Sequence, residues 1–255
     1  MEINNKIAAV VTGGASGLGE AVVRCLAARG AHVALFDRDA DKGAKLAKEC
    51  GGLFVAVDVG DPRSVNDGFK VARTAHGPER VLVACAGIAP AERTVTKTGP
   101  HDFDLFERTL RINLTGVFNC ATQAAAAMAA LPPVTPDGER GVIINTASIA
   151  AYEGQIGQIA YAASKAGVAG MTLPMARDLA RHGIRVVAIA PGLFHTPMIT
   201  AFPQDIQDGL TAKLVFPQRA GNPSEFAAMV LHICTNSMIN GEVIRLDGAY
   251  RMPPA

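Results

Sequence analysis

The chain has almost no excess of charge: 24 Lys and Arg against 23 Asp and Glu leave a formal net charge of +1 over 255 residues. That balance gives no broad electrostatic footprint for nucleic acid or an anionic membrane surface, so neither partner is expected. Paired cysteines are missing too. Cys25, Cys50, Cys85, Cys120 and Cys234 make an odd count without a C-x-x-C spacing, which argues for reduced thiols in a reducing compartment. The six histidines form no H-E-x-x-H or other close ligand grouping, so no metal is expected. Only Met1 to Lys6 precede the first apolar run, too little for a signal or transit segment. The alanine-rich stretch near Ala121–Ala130 is shorter than a bilayer span. A cytoplasmic location is the expectation.

Tyrosine is scarce as well, with three in the chain, and of these Tyr161 alone has lysine four positions on. On a helix, Tyr161 and Lys165 share a face, where an ammonium is expected to lower the phenol from its usual pKa of about 10. Ser148 lies upstream, past the apolar run Gly141–Thr146, which reads as a buried strand. A strand end facing a helix is a place to hold a carbonyl. Such a Tyr–Lys spacing is common on solvated helices, so it gains force only beside a cofactor site.

The amino-terminal segment supplies that site. The apolar run Ile7–Thr12 leads into Gly13-Gly14-Ala15-Ser16-Gly17-Leu18-Gly19 and then a helical pattern. A strand, glycine turn and helix start let backbone N–H groups approach a diphosphate. His32–Phe36 reads as the second strand and is followed by Asp37. A carboxylate there accepts ribose hydroxyls and repels the 2′-phosphate of NADP, so NAD is the expected cofactor, although a helix-capping role would also suit Asp37. Arg38 is the neighbour that could receive that phosphate.

Apolar runs recur at Leu53–Val57, Arg80–Ala84, Arg185–Ala190 and Glu242–Leu246, with helical patterns between most of them. Short continuous runs alternating with helices predict an α/β, Rossmann-type doubly wound parallel sheet of seven strands with helices on both faces. One domain spanning 1–255 is expected, with a substrate lid at roughly 191–222. Asn222, Pro223 and Glu225 mark the start of the last helix.

Taken together, Thr12–Gly19, Asp37, Asp58-Val59, Cys85-Ala86-Gly87, Asn113, Ser148, Tyr161-x-x-x-Lys165 and Pro191-Gly192 resemble the short-chain dehydrogenase/reductase family along essentially the whole chain. The fourth-strand motif departs slightly, with Ala84-Cys85 where the family often has two asparagines. The segments from Arg140 to Gln158, Gly170 to Ala180, Ala190 to Met198 and Asn240 to Ala249 are similar to the type II 3-hydroxyacyl-CoA dehydrogenases of that family, which are NAD-dependent homotetramers. The resemblance implies Tyr161 as acid/base, Lys165 at the nicotinamide ribose, Ser148 at the substrate oxygen and Asn113 in a proton relay. It implies cofactor contacts from Gly13, Ser16, Gly17, Leu18, Gly19, Asp37, Asp58, Val59, Cys85, Ala86, Gly87, Pro191, Gly192, Phe194 and Thr196, as well as Tyr161 and Lys165.

Substrate evidence is thinner. Gln155 and Gln158 flank the Tyr161 helix and are candidate contacts for a thioester. Leu193, Phe194, Met198, Ile199, Phe202, Leu210, Leu214 and Phe216 offer apolar cover for an acyl chain or sterol. Arg93, Lys97 and His101 could meet CoA phosphates, although a solvated loop is the commoner fate of such residues. The expected reaction is hydride transfer between 3-hydroxyacyl-CoA and NAD, in a homotetramer. A hydroxysteroid or other secondary-alcohol dehydrogenase and a 3-oxoacyl-acyl-carrier-protein reductase are the enzyme alternatives. A partner- or RNA-binding protein on the same fold is the alternative of another class.

Overall fold

The computed structural model describes residues 1–200, 209 and 211–254. Seven strands form one parallel sheet: β1 (Ala8–Thr12), β2 (His32–Asp37), β3 (Leu53–Ala56), β4 (Val81–Ala84), β5 (Gly141–Thr146), β6 (Ile184–Pro191) and β7 (Val243–Leu246), in the order β3-β2-β1-β4-β5-β6-β7. β1, β4, β5 and β6 are buried at every position. This is why they read as unbroken apolar runs and not as alternating ones. The predicted strand positions hold, with ends displaced by a residue or so. β6 gains Ile184 and Pro191, whereas β3 stops at Ala56 and Val57 donates its N–H to the Asp37 carbonyl.

Helices cover both faces. α1 (Gly17–Ala27), α2 (Ala40–Cys50) and α8 (Pro223–Thr235) pack one core, in which Val22, Leu26, Leu46, Phe226 and Val230 meet Val11, Leu35, Ile144 and Val187. α3 (Pro62–His76), α5 (Gly116–Ala129) and α6 (Ile159–Leu179) pack the other, through Phe69, Ala121, Ala124, Met128 and Ala176 against Phe36, Leu82 and Ile143. Phe36 and Phe69 meet edge to face at 5.2 Å between centroids, worth about 1 kcal/mol beyond their burial. Ala124 and Ala125 of α5 are buried in the same core.

The remaining helices, α4 (Phe103–Leu110) and the short α7 (Pro197–Thr200), flank the carboxyl ends of the strands. α8 starts where the sequence places it, with Glu225 accepting from the Asn222 N–H at 2.7 Å. The chain leaves β1 toward β2 and β3 on one side, then returns to place β4 on the other. That reversal opens a crevice at the carboxyl ends of β1 and β4.

Candidate active site

At the crevice, β1 ends in a turn that leaves no room for side chains. Gly13 has φ +64°, and a Cβ there would stand 2.7 Å from the Ala86 nitrogen. Gly17 has φ +56°, and Gly19 packs its α-carbon against the Gly13 backbone. Ser16 caps α1 with extended backbone and no side-chain hydrogen bond. The first-turn residues of α1 therefore line the crevice with their backbone, an arrangement suited to an anion. The Thr12 hydroxyl ties the neighbouring strand end by accepting from the Ala86 N–H at 3.2 Å.

Asp37 closes this end. Its carboxylate accepts from the Ala15 N–H at 3.0 Å on one oxygen, and from Arg38 and Asp39 N–H at 2.7 and 3.0 Å on the other. The capping role goes to Asp39, which accepts from the Lys42 N–H at the start of α2. Arg38 is exposed, with its Nε 3.8 Å from an Asp58 carboxylate oxygen. Asp58 and Val59 form the next stretch of wall, and the other Asp58 oxygen accepts from the Gly60 N–H at 2.9 Å.

The opposite end is built by β5 and α6. Ser148 follows β5 and accepts from the Ala150 N–H at 3.1 Å. Tyr161 occupies the first turn of α6, within hydrogen-bonding reach of the Ser148 hydroxyl. Lys165, one turn on, is buried and donates to the Thr146 carbonyl at 2.7 Å, with its ammonium 5.8 Å from the centre of the Tyr161 ring. Burial pushes this lysine down to about 8. Tyr161 departs from the sequence expectation. Desolvation holds its phenol above the ordinary value, and the group pulling it down is the Ser148 hydroxyl. The lysine is aimed at a carbonyl, and the cost of burying a phenolate outweighs its influence on the ring.

Asn113 is fully buried in a π-helical turn, Arg111–Thr115, between α4 and α5. Extra-wide turns of this kind recur at functional sites. Its amide oxygen accepts from the Ile88 N–H and its nitrogen donates to the Ile88 carbonyl, both at 2.8 Å; the nitrogen also donates to the Ser164 hydroxyl at 3.1 Å. A Cβ on Gly87 would sit 3.1 Å from the Asn113 oxygen and 3.7 Å from the Lys165 ammonium. Glycine thus lets the backbone pass close to both side chains.

One cavity of about 700 Å³ joins the two ends. Gly13, Ser16, Gly17, Leu18, Gly19, Asp37, Asp58, Val59, Cys85, Ala86, Gly87, Ser148, Gln155, Gln158, Tyr161, Lys165, Pro191, Gly192, Phe194 and Thr196 all line it. Asn113 lies just behind the wall. Burial raises the Cys85 thiol to about 11, which makes it a poor nucleophile. Gln155 and Gln158 bond each other, and the Gln155 side chain also donates to the Pro253 carbonyl at 3.1 Å.

Of the lid residues, Leu193, Phe194 and Ile199 reach the cavity, Leu214 is buried beside Ile149 and Tyr250, and Phe216 faces solvent. Phe202, Leu210 and the Met198 side chain lie outside the described residues. His101 places its Nδ1 3.2 Å from a Glu92 carboxylate oxygen. Sequence reasoning missed Ile149, Tyr250 and Met252 on the cavity wall. Tyr250 and Met252 come from the segment after β7, which carries no spacing signal that ties it to Ser148.

A glycine cradle, an acidic strand end and a Ser–Tyr–Lys cluster around one crevice define a nucleotide-dependent oxidoreductase site, and the family model for short chain dehydrogenase matches residues 7–207. The chain belongs to that family. Among similar proteins are the 3-hydroxyacyl-CoA dehydrogenase type-2 of Drosophila melanogaster, 49% identical with 96% of this chain and 97% of the relative covered, and that of Homo sapiens, 47% identical with 97% and 96% covered. The crystal structure of 3-hydroxyacyl-CoA dehydrogenase type-2 from Mycobacterium avium superposes with a TM-score of 0.93 at 45% identity, covering 98% of this chain and 97% of the other.

Proposed function

We propose that the chain is an NAD-dependent dehydrogenase that interconverts 3-hydroxyacyl-CoA and 3-oxoacyl-CoA. The observation that carries this is the cavity itself, with the backbone cradle and Asp37 at one end and Ser148, Tyr161 and Lys165 converging at the other. The names of the similar proteins supply the substrate class. The residues fit the dinucleotide: the glycine turn packs its Gly13 directly on the Ala86 backbone and lines the cavity at the start of α1, where a diphosphate would lie, and the Asp37 carboxylate, held by three amides, lines the same cavity where a ribose would lie. Gly17, Leu18, Gly19, Asp58, Val59, Cys85, Ala86, Gly87, Pro191, Gly192, Phe194 and Thr196 would complete its walls. NAD, when bound, accepts or returns the hydride at C3 of the acyl group.

The protein's own groups handle the proton and the orientation. Ser148 donates to or accepts from the substrate oxygen, and Tyr161 transfers the proton at that oxygen. A phenol held above its ordinary value is protonated at neutral pH, ready to protonate the oxygen of a ketone. Lys165, titrating at about 8, exchanges protons near neutrality, and it and Asn113 lie on either side of Gly87.

A second cavity of about 450 Å³, lined by Arg93, Thr94 and Ile156, shares Gln155 and Gln158 with the first. This continuity supports Arg93, with exposed Lys97 nearby, as the place where CoA phosphates rest, and Gln155 and Gln158 as contacts for the thioester. Residues 191–222 are proposed as the cover over the acyl group, since Leu193, Phe194 and Ile199 line the cavity. A homotetramer is the proposed assembly. The exposed Phe103, Phe118, Ile159 and Leu173 on α4, α5 and α6 support it. Five free thiols support a reducing compartment, the cytoplasm. Among the described residues no helix is long and apolar enough to cross a membrane.

The test compares NADH oxidation on acetoacetyl-CoA, on the same acyl group carried by a short thiol, and on a ketosteroid. The CoA ester is expected to have the higher kcat/KM, because remote binding orients the reacting ketone. Arg93→Ala should narrow that gap. Equal rates on the two thioesters, with the steroid clearly preferred, would overturn the acyl-CoA reading and leave the dehydrogenase in place.

A further inference from the structure

After β7 the chain turns back over the Ser148 end of the cavity. The turn runs through Asp247, whose carboxylate accepts from the Ala249 N–H at 3.0 Å, and Ala249 itself has φ 62°. Among the described residues it is the one non-glycine with positive φ, a conformation that persists where surrounding contacts enforce it. Beyond it Tyr250 is buried against Ile149 and Leu214, with Leu193 and Met252 packed alongside. Both Tyr250 and Met252 face the cavity.

This segment is tied to the loop between β5 and α6, the loop that also carries Ser148. Arg245, on β7, donates both terminal nitrogens to the Glu153 carboxylate at 2.8 and 3.0 Å, its Nε to Asp247 at 2.7 Å, and one nitrogen to the Tyr250 carbonyl at 3.1 Å. Arg251 adds contacts to Asp247 at 3.1 Å and to Glu153 at 3.3 Å. The Met252 N–H donates to Glu153 at 3.3 Å, and the Ile156 N–H to the Pro254 carbonyl at 2.9 Å. Such a network is more than a surface ion pair. Its bidentate Arg–carboxylate geometry fixes direction as well as distance.

We propose that residues 247–254 form a strap that sets which acyl groups the site accepts, with Tyr250 and Met252 walling the cavity beyond Ser148 and Glu153 positioning that wall. The proposal rests on the acyl-CoA reading and adds to it the residues that discriminate chain length. Glu153 is not among the residues that line the cavity. It acts by locking the strap to the Ser148 loop, so its loss should relax the wall and leave the reacting groups present.

The experiment measures kcat and KM of the full chain with NADH on acetoacetyl-CoA and on 3-oxodecanoyl-CoA. Met252→Trp fills the wall and should lower the ratio of kcat/KM, long over short, by about 10-fold. Glu153→Gln should raise KM for the long substrate several-fold, with a smaller change in kcat. High salt should raise that KM in the wild type and do so less in Glu153→Gln, because screened ion pairs are what the variant has already lost. The proposal is overturned if both variants keep the long-to-short ratio within about twofold of the wild type. It is equally overturned if Glu153→Gln lowers kcat alike on both substrates with KM fixed. Should Met252→Trp fail to fold, Glu153→Gln and the salt series decide. Should the wild type turn over neither thioester but reduce another ketone, the acyl-CoA reading fails, and the strap is judged by the same ratio between a bulky and a small ketone.

Discussion

Along the ends of β1, β2 and β4 the cavity wall is mostly backbone, with Gly13, Gly17, Gly19 and Gly87 presenting peptide groups and Asp37 pinned by three amides, whereas beyond Ser148 it is mostly side chain, from Ile149, Leu193, Tyr250 and Met252. Most of the first wall comes from the turns that directly follow β1 and β2, with Gly87 added after β4. The second is assembled from three loops far apart in the chain and fastened by the Glu153–Arg245–Asp247 network. A backbone wall suits a ligand that does not vary between uses, since a glycine turn cannot be adjusted without refolding it. A side-chain wall can be changed one substitution at a time. The two ends therefore should respond differently to mutation, and the reacting groups sit where they meet.

Tyr161 stands at that junction, so its removal should cost most and should cost the same whichever substrate is offered. Tyr161→Phe keeps the ring in place and deletes the hydroxyl within reach of Ser148. Hydride transfer in a single turnover should fall by at least ~10²-fold while NADH binding persists. Near-normal transfer would show that the proton comes from another group and that the two walls meet elsewhere.

Lys165 is the next largest effect, and it is read in stability. Its folded value of about 8 lies below the ordinary 10.5, because burial disfavours the ammonium. Below pH 8 both folded and unfolded chains carry the proton, and the full cost of burying the charge is present. Between the two values the unfolded chain binds the proton and the folded chain does not, so stability rises with pH. Above the higher value the cost is gone. The rise amounts to at most about 3 kcal/mol. Denaturant unfolding at either end of this window should show it in the wild type and not in Lys165→Met. Parallel pH curves for the two proteins would mean that the Thr146 carbonyl, 2.7 Å away, already offsets the burial.

The backbone wall is also the part that could be read in advance. Gly13, Gly17, Gly19 and Asp37 follow from local rules: a turn that needs positive φ, a helix start, and a strand end one unit along. The strands were legible because burial on both faces leaves unbroken apolar runs at β1, β4, β5 and β6. Glu225 and Asn222 announced α8 through a contact between near neighbours. The phenol's direction was not legible, since the Tyr161–Lys165 spacing says nothing of how far burial strips water from the ring or where the ammonium points. Tyr250 and Met252 escaped notice for a related reason. Their place depends on Arg245 meeting Glu153, 92 residues away, and pairings at that separation carry no periodic signal.

Asp37 gives the smallest effect and the sharpest test of the backbone wall. In the wild type its carboxylate should repel a 2′-phosphate, and NAD should be used with clear preference over NADP. Asp37→Ala removes that charge and also frees the N–H groups of Ala15, Arg38 and Asp39, which point at the vacated position. The exposed Arg38, 3.8 Å from Asp58, stands beside them. Three backbone donors and a guanidinium are what a phosphate requires. The ratio of kcat/KM for NADP over NAD should therefore rise by about 10-fold, a change worth about 1.4 kcal/mol, when both cofactors are measured at matched pH and salt. Equal use of the two by the wild type would break the assignment of Asp37. A variant that loses NAD without gaining NADP would show instead that the carboxylate's main work is to hold the turn.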